Sequence, residues 1–165
     1  MYAIDASFSN FTPDTFRQFK EDGMGLFVQN AWTGLLTPEP AKANLVAAQM
    51  HIAAYVVVTP SLTGRSSVNQ VRGALGDMWE KLSFVAIDVE APYVPPLDTI
   101  WDAVGVVEEY GQRAVIYTSY NSWVNFLYDT HELKEYPLWY AHYNDETTID
   151  WLLPFGGWDI TQVVG

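Results

Sequence analysis

The segment Phe84-Val85-Ala86-Ile87-Asp88-Val89-Glu90-Ala91-Pro92 is an apolar run closed by two acids at positions i and i+2. Its Val and Ile content predicts a strand. Side chains alternate along a strand, so Ala86, Asp88 and Glu90 share one face and Ile87 and Val89 the other. The Cα atoms of the two acids are then ~6.6–7 Å apart. Acids are rarely buried without a partner, and like charges this close raise the pKa of one of them. A carboxyl that keeps its proton near neutral pH in this way can serve as a general acid. Removing the Asp88 charge is accordingly expected to lower the pKa of Glu90. A second apolar run, Ala3-Ile4-Asp5-Ala6-Ser7, places Asp5 where a strand meets its loop. Taken singly, Asp5 reads as a loop-capping residue, whereas Asp88 with Glu90 reads as a functional pair ahead of a solvated strand end. A fold that gathers both strand ends at one mouth would make the three carboxylates a site.

Aromatic side chains stand at the matching ends of other apolar runs. They are Trp32, then Tyr117 with Tyr120 and Trp123 beyond it, then Trp139, Tyr140 and Tyr143. A groove of acids and rings suits a polysaccharide, because a large flat ring can cover a sugar face; the same rings also serve as core and rim packing. The three His residues, His51, His131 and His142, show no metal-ligand spacing. There is no G-x-S-x-G elbow. The chain has no Cys, which excludes disulfides and thiol catalysis. A chitinase-type D-x-x-D-x-D-x-E motif would need acids at Ser83 and Ala86.

Seven apolar runs read as strands: residues 2–6, 25–31, 53–59, 83–89, 113–118, 137–143 and 158–164. Helical patterns fill the gaps. Thr12-Pro13 is an N-cap followed by Pro at the first helical position, and that helix buries Phe16 and Phe19. Residues 41–50, 67–81 and 97–110 carry apolar side chains at helical spacing, and Asn121 is placed to cap a fifth helix. After Tyr143 the pattern degrades. Such alternation predicts a mostly parallel sheet covered on both faces. Ala6-Ser7-Phe8-Ser9-Asn10 is no phosphate cradle, which weighs against an open nucleotide-binding sheet. The expected fold is α/β, a compact TIM-like (β/α) barrel with seven recognisable strands, a missing eighth and an irregular last third. Residues 1–165 are expected to form one domain whose C-terminal end is cut short.

Composition narrows the partners. A net charge of −12 argues against nucleic acid and against an anionic membrane surface. No apolar run approaches the ~20 residues of a membrane span, and no signal peptide is visible.

Five blocks resemble glycoside hydrolase family 25, the Chalaropsis-type lysozymes or muramidases. In chain order they are Ala3-Ile4-Asp5-Ala6-Ser7, Ala86-Ile87-Asp88-Val89-Glu90, Val115-Ile116-Tyr117-Thr118-Ser119, Leu138-Trp139-Tyr140-Ala141-His142-Tyr143 and Trp158-Asp159-Ile160-Thr161-Gln162. They span nearly the whole chain, and their common order is more specific than any one block. The resemblance implies hydrolysis of the β-1,4 bond between N-acetylmuramic acid and N-acetylglucosamine in peptidoglycan. It implies Glu90 as general acid, Asp88 as the residue that stabilises the reacting sugar through its acetamido group, and Asp5 as a supporting acid. Tyr117, Tyr55, Trp139, Tyr140, Trp32 and Gln162 are the implied glycan-binding residues. It implies no metal and no organic cofactor. It also implies extracellular or cell-wall action, by a phage-encoded protein or a domain of a larger one. Retaining and inverting chemistry stay open, because they turn on a carboxylate separation of about 5–5.5 Å or about 6.5–9.5 Å.

The chain departs from the family in three places. Strand three ends Tyr55-Val56-Val57 where a Tyr-His-Phe run is usual. Strand two ends Gln29-Asn30-Ala31-Trp32-Thr33-Gly34 without the usual Lys and Glu-Gly, and no eighth strand with its acid follows Gly165. These departures set a second expectation beside the enzyme: a non-catalytic glycan-binding or structural module on the same barrel. The open sheet edge beside the first strand is expected to favour self-association.

Overall fold

The computed structural model describes residues 2–141 and 154–159. Strands and helices alternate as β1 (Tyr2–Ala6), α1 (Pro13–Glu21), β2 (Met24–Trp32), α2 (Ala41–Ala47), β3 (His51–Val57), α3 (Gly64–Leu75) and a 3-10 turn (Gly76–Lys81). They continue as β4 (Val85–Val89), α4 (Leu97–Glu109), β5 (Ala114–Thr118), α5 (Tyr120–Leu127) and β6 (Leu138–Tyr140). None of the described helices is long and apolar enough to cross a membrane.

Local chemistry sets the boundaries. The Thr12 hydroxyl accepts the Thr15 N–H at 3.2 Å and Pro13 takes the first helical position of α1. Helix α5 begins two residues earlier than the sequence predicts. Ser119 caps it, not Asn121, accepting the Ser122 N–H at 3.2 Å. Helix α2 stops at Ala47, so β3 starts two residues early and His51 becomes a strand residue. The helix expected over 67–81 divides at Gly76, whose φ of +55° with ψ of −123° lies outside the left-handed helical region and favours a residue without Cβ.

All strand pairs are parallel, in the order β1-β2-β3-β4-β5-β6. The helices bury apolar stripes against the sheet. Phe11, Phe16, Phe19 and Phe27 fasten α1 to β2 through edge-to-face contacts of 4.9–5.9 Å.

The sheet is strongly curled. Strands β3 and β6 are three intervals apart, which is ~14 Å in a flat sheet. Yet the rings of Tyr55 on β3 and Trp139 on β6 are 6.5 Å apart. Among the described residues the result is a half-barrel of six strands. Most of the expected seventh strand, 158–164, lies outside the described residues. Trp158 and Asp159 are described and are not in a strand. Gly156 and Gly157 instead turn the chain with φ of +56° and +77°, and the Trp158 N–H bonds the Phe155 carbonyl at 3.0 Å. The turn delivers the Trp158 ring, fully buried, to within 4.7 Å of Trp123.

Candidate active site

Register determines what meets at the mouth. Asp88 on β4 stands opposite Tyr117 on β5, and Tyr117 opposite Trp139 on β6. Paired residues project to the same face, so these three form one row across the concave side. Tyr55 lies one layer deeper, since its partner on β4 is Ala86, two residues before Asp88. Asp5 approaches from β1, and Glu90 from just beyond β4. Together with Ser7 these side chains line a cavity of about 260 Å³. A larger groove of about 430 Å³ lies at the opposite strand ends, around His51 and Ser83. Its one acid, Asp77, is neutralised by Lys42 at 2.8 Å, so the convergent chemistry belongs to the smaller cavity.

The backbone around Glu90 and two of the lining rings have visible support. The residues flanking Glu90 are tied on both sides: Thr118 donates its hydroxyl to the Val89 carbonyl at 2.7 Å, and the Ala91 N–H donates to the Ser122 hydroxyl at 3.1 Å. The Tyr55 hydroxyl is 2.7 Å from the Ser7 hydroxyl. The Trp139 ring meets Tyr117 edge-on at 4.7 Å.

Among the described residues the lining holds three carboxyls and no Lys, Arg or His. Burial, and then the nearby Glu90 carboxylate, push Asp88 up to about 8. Burial raises Glu90 as well. Burial raises Asp5 at the rim, against the lowering effect of a backbone hydrogen bond. The sequence expects the Asp88 charge to hold up Glu90; the cause at Glu90 is burial, and it is Asp88, the more buried of the pair, that the neighbouring charge raises further. Among the described residues no group of three His, Asp or Glu could hold a metal ion.

The structure brings Asp5, Asp88, Glu90, Tyr55, Tyr117 and Trp139 to one cavity. It does not bring Trp32 or Tyr140. Asn30 pairs with the inward Tyr55, but the β2–β3 register then slips and Trp32 pairs with Val56. Such a bulge turns the next side chain to the other face, and Trp32 is buried among the helices' side of the sheet. Tyr140 alternates with the inward Trp139 and packs at 5.4 Å on Phe155. Gln162 lies outside the described residues. Ser7 was not among the expected site residues, although it follows Asp5 at i+2 and so shares its face.

No protein-family model matches the chain. Counting factor 50 of Dictyostelium discoideum is 33% identical over 63 residues, 37% of this chain, which spans only 21% of that protein. Solved structures match far more of it. The bacterial lysozyme of Streptomyces coelicolor superposes with a TM-score of 0.75 at 18% identity, over 92% of this chain and 79% of that one. The muramidase of Trichobolus zukalii gives 0.73 at 16% identity, over 94% and 82%. The family GH25 lysozyme of Aspergillus fumigatus gives 0.64 at 20% identity, over 87% and 76%. The chain has the fold of the family 25 lysozymes and muramidases.

Proposed function

We propose that this protein is a lysozyme-like glycoside hydrolase that cleaves the β-1,4 bond between N-acetylmuramic acid and N-acetylglucosamine in peptidoglycan. One observation carries the reading: Asp5, Asp88 and Glu90 converge with Tyr55, Tyr117 and Trp139 in a single cavity, on a fold shared with lysozymes. The curled sheet is then the larger part of a TIM-like barrel, and the place of action is the cell wall.

The acid pair shares one proton near neutral pH. In the empty pocket Asp88 holds it. A bound glycan removes the remaining water from half-buried Glu90, and an acetamido N–H donated to Asp88 favours its ionised form. Both changes pass the proton to Glu90. Glu90 then protonates the leaving glycosidic oxygen as its bond to C1 breaks. Asp88 orients the acetamido group and offsets positive charge at the reacting sugar, with Asp5 in support. Water supplies the hydroxyl to C1, and its second proton restores the pair. Trp139, Tyr117 and Tyr55 offer ring surface to the sugar faces. Clearing of bacterial cell walls at several pH values tests the reading; binding without clearing would favour the non-catalytic module.

Asp88 also links stability to pH. The folded carboxyl keeps its proton to about pH 8, whereas its ordinary value is 3.8. Across that window the native state holds more protons than the unfolded chain, so stability falls as pH rises. Asp88→Asn removes this loss. Its melting temperature is expected to gain on wild type steadily between about pH 5 and about pH 8, a range inside that window. A constant difference across that range would contradict it.

The outer edge of β1 has no strand neighbour among the described residues, and Tyr2 is 67% exposed there. Such an edge templates pairing. Light scattering at rising concentration is expected to report self-association, and a strictly monomeric chain would overturn that expectation.

A further inference from the structure

We infer that Asn44 and Gln29, two amides buried behind the sheet, are positioning residues for the pocket. They act through the β1–α1 loop that carries Ser7. Both side chains are fully buried, yet neither itself lines the cavity. Their hydrogen-bonding capacity is spent largely on that loop. Gln29 Nε2 donates to the carbonyls of Ala6 at 3.1 Å and Ser7 at 2.9 Å, and also to that of Asn30 at 2.9 Å. Asn44 Nδ2 donates to the Ser9 carbonyl at 2.8 Å and to Gln29 Oε1 at 2.8 Å. Asn44 Oδ1 accepts the Phe11 N–H at 3.0 Å. The amides therefore grip each other and four consecutive or near-consecutive points of one loop.

A buried amide pair needs such a reason. Apolar side chains of the same shape would leave the Ala6, Ser7 and Ser9 carbonyls and the Phe11 N–H without these partners. What the pair adds is direction. The loop stands in solvent: Phe8 is 62% exposed, and residues 8–10 are exposed throughout. Its inner attachments are the two amides and the Phe11 ring. With the Ser7 carbonyl held by Gln29, the Ser7 hydroxyl sits 2.7 Å from Tyr55 in the pocket. Register supports the same division of labour. Asn30 pairs with the inward Tyr55, so its neighbour Gln29 faces the helices and reaches Asn44 on α2.

The test is a double-mutant cycle with a stability control. Its kinetic arm rests on the proposed hydrolase activity; its exchange arm does not. Ser7→Ala and Asn44→Ala are each expected to lower kcat about tenfold on soluble peptidoglycan fragments, since small misplacements in a site carry costs of that order. KM should change far less. The double variant should also lose about tenfold rather than about a hundredfold, because residues acting through one another are not additive. Leu45→Ala, beside Asn44 in α2 and equally buried, should lower the melting temperature and leave kcat unchanged at a temperature where every variant is folded. Amide exchange of residues 7–11 should quicken in Asn44→Ala and not in Leu45→Ala. Multiplying kinetic losses, or loop exchange no faster than in Leu45→Ala, would overturn the inference. If Asn44→Ala does not fold, Asn44→Asp, which keeps the volume and the acceptor for Phe11, is read by the same criteria. If the wild type hydrolyses nothing, the proposed function fails while loop exchange still decides this inference.

Discussion

Glu90→Gln is expected to cut hydrolysis by about 10²-fold or more, the usual worth of a general acid, while the protein stays folded. The side chain is half-buried at the mouth, just past the end of β4. The fold holds the backbone there and not the carboxyl: Val89 is bonded by Thr118, Ala91 by Ser122, and the Glu90 carbonyl accepts the Tyr93 N–H at 3.2 Å. An amide of the same shape keeps all three bonds and removes only the transferable proton. Burial raises the Glu90 carboxyl, so Gln also relieves the cost of ionising it. The variant should further lower the pKa of Asp88, because the Glu90 charge is the second cause of its rise. Rates on cell walls and a carboxyl titration of both proteins check this. Retention of more than about a tenth of the wild-type rate would exclude Glu90 as the general acid.

The second large effect is on stability. Gly64→Ala is expected to destabilise the fold by about 3 kcal/mol or more, because the overpacked site cannot relax by a rotamer change. A Cβ at Gly64 would lie 2.2 Å from the Ala103 nitrogen, 2.4 Å from the Thr99 carbonyl oxygen and 2.7 Å from the Ala103 Cα. All three atoms are backbone of α4, so α3 and α4 must separate and loosen the apolar layer that both bury. For a chain of this length the melting temperature should fall roughly 6–12 °C, at ~2–4 °C per kcal/mol. Gly73 in the same helix has nothing within 4 Å. There Ala should stabilise by about 0.5–1 kcal/mol through helix propensity. Melts of the two variants check the contrast, and a Gly64→Ala protein melting with wild type would contradict the close helix crossing.

The sequence made the strand-helix alternation and the acid pair legible because both depend on local rules. Period-two alternation put Asp88 and Glu90 on one face, and Thr12-Pro13 announced α1. What stayed hidden depended on register and curl. Trp32 looked like a rim aromatic until the slip after Asn30 paired it with Val56. Alternation alone could have separated Tyr140 from Trp139, since neighbours in a strand cannot share a face, and the same rule could have found Ser7 through Asp5. How burial acts on each acid was not readable, because it turns on the packing around the carboxyl rather than on spacing. The Gln29–Asn44 pair was equally silent: two amides fifteen positions apart carry no pattern until α2 is laid against β2.

The reducing ends released from purified peptidoglycan test the central claim most directly. Wild-type protein is expected to generate new reducing-end N-acetylmuramic acid, and Glu90→Gln to generate none above background. No new reducing ends, or reducing-end N-acetylglucosamine in their place, would contradict the account.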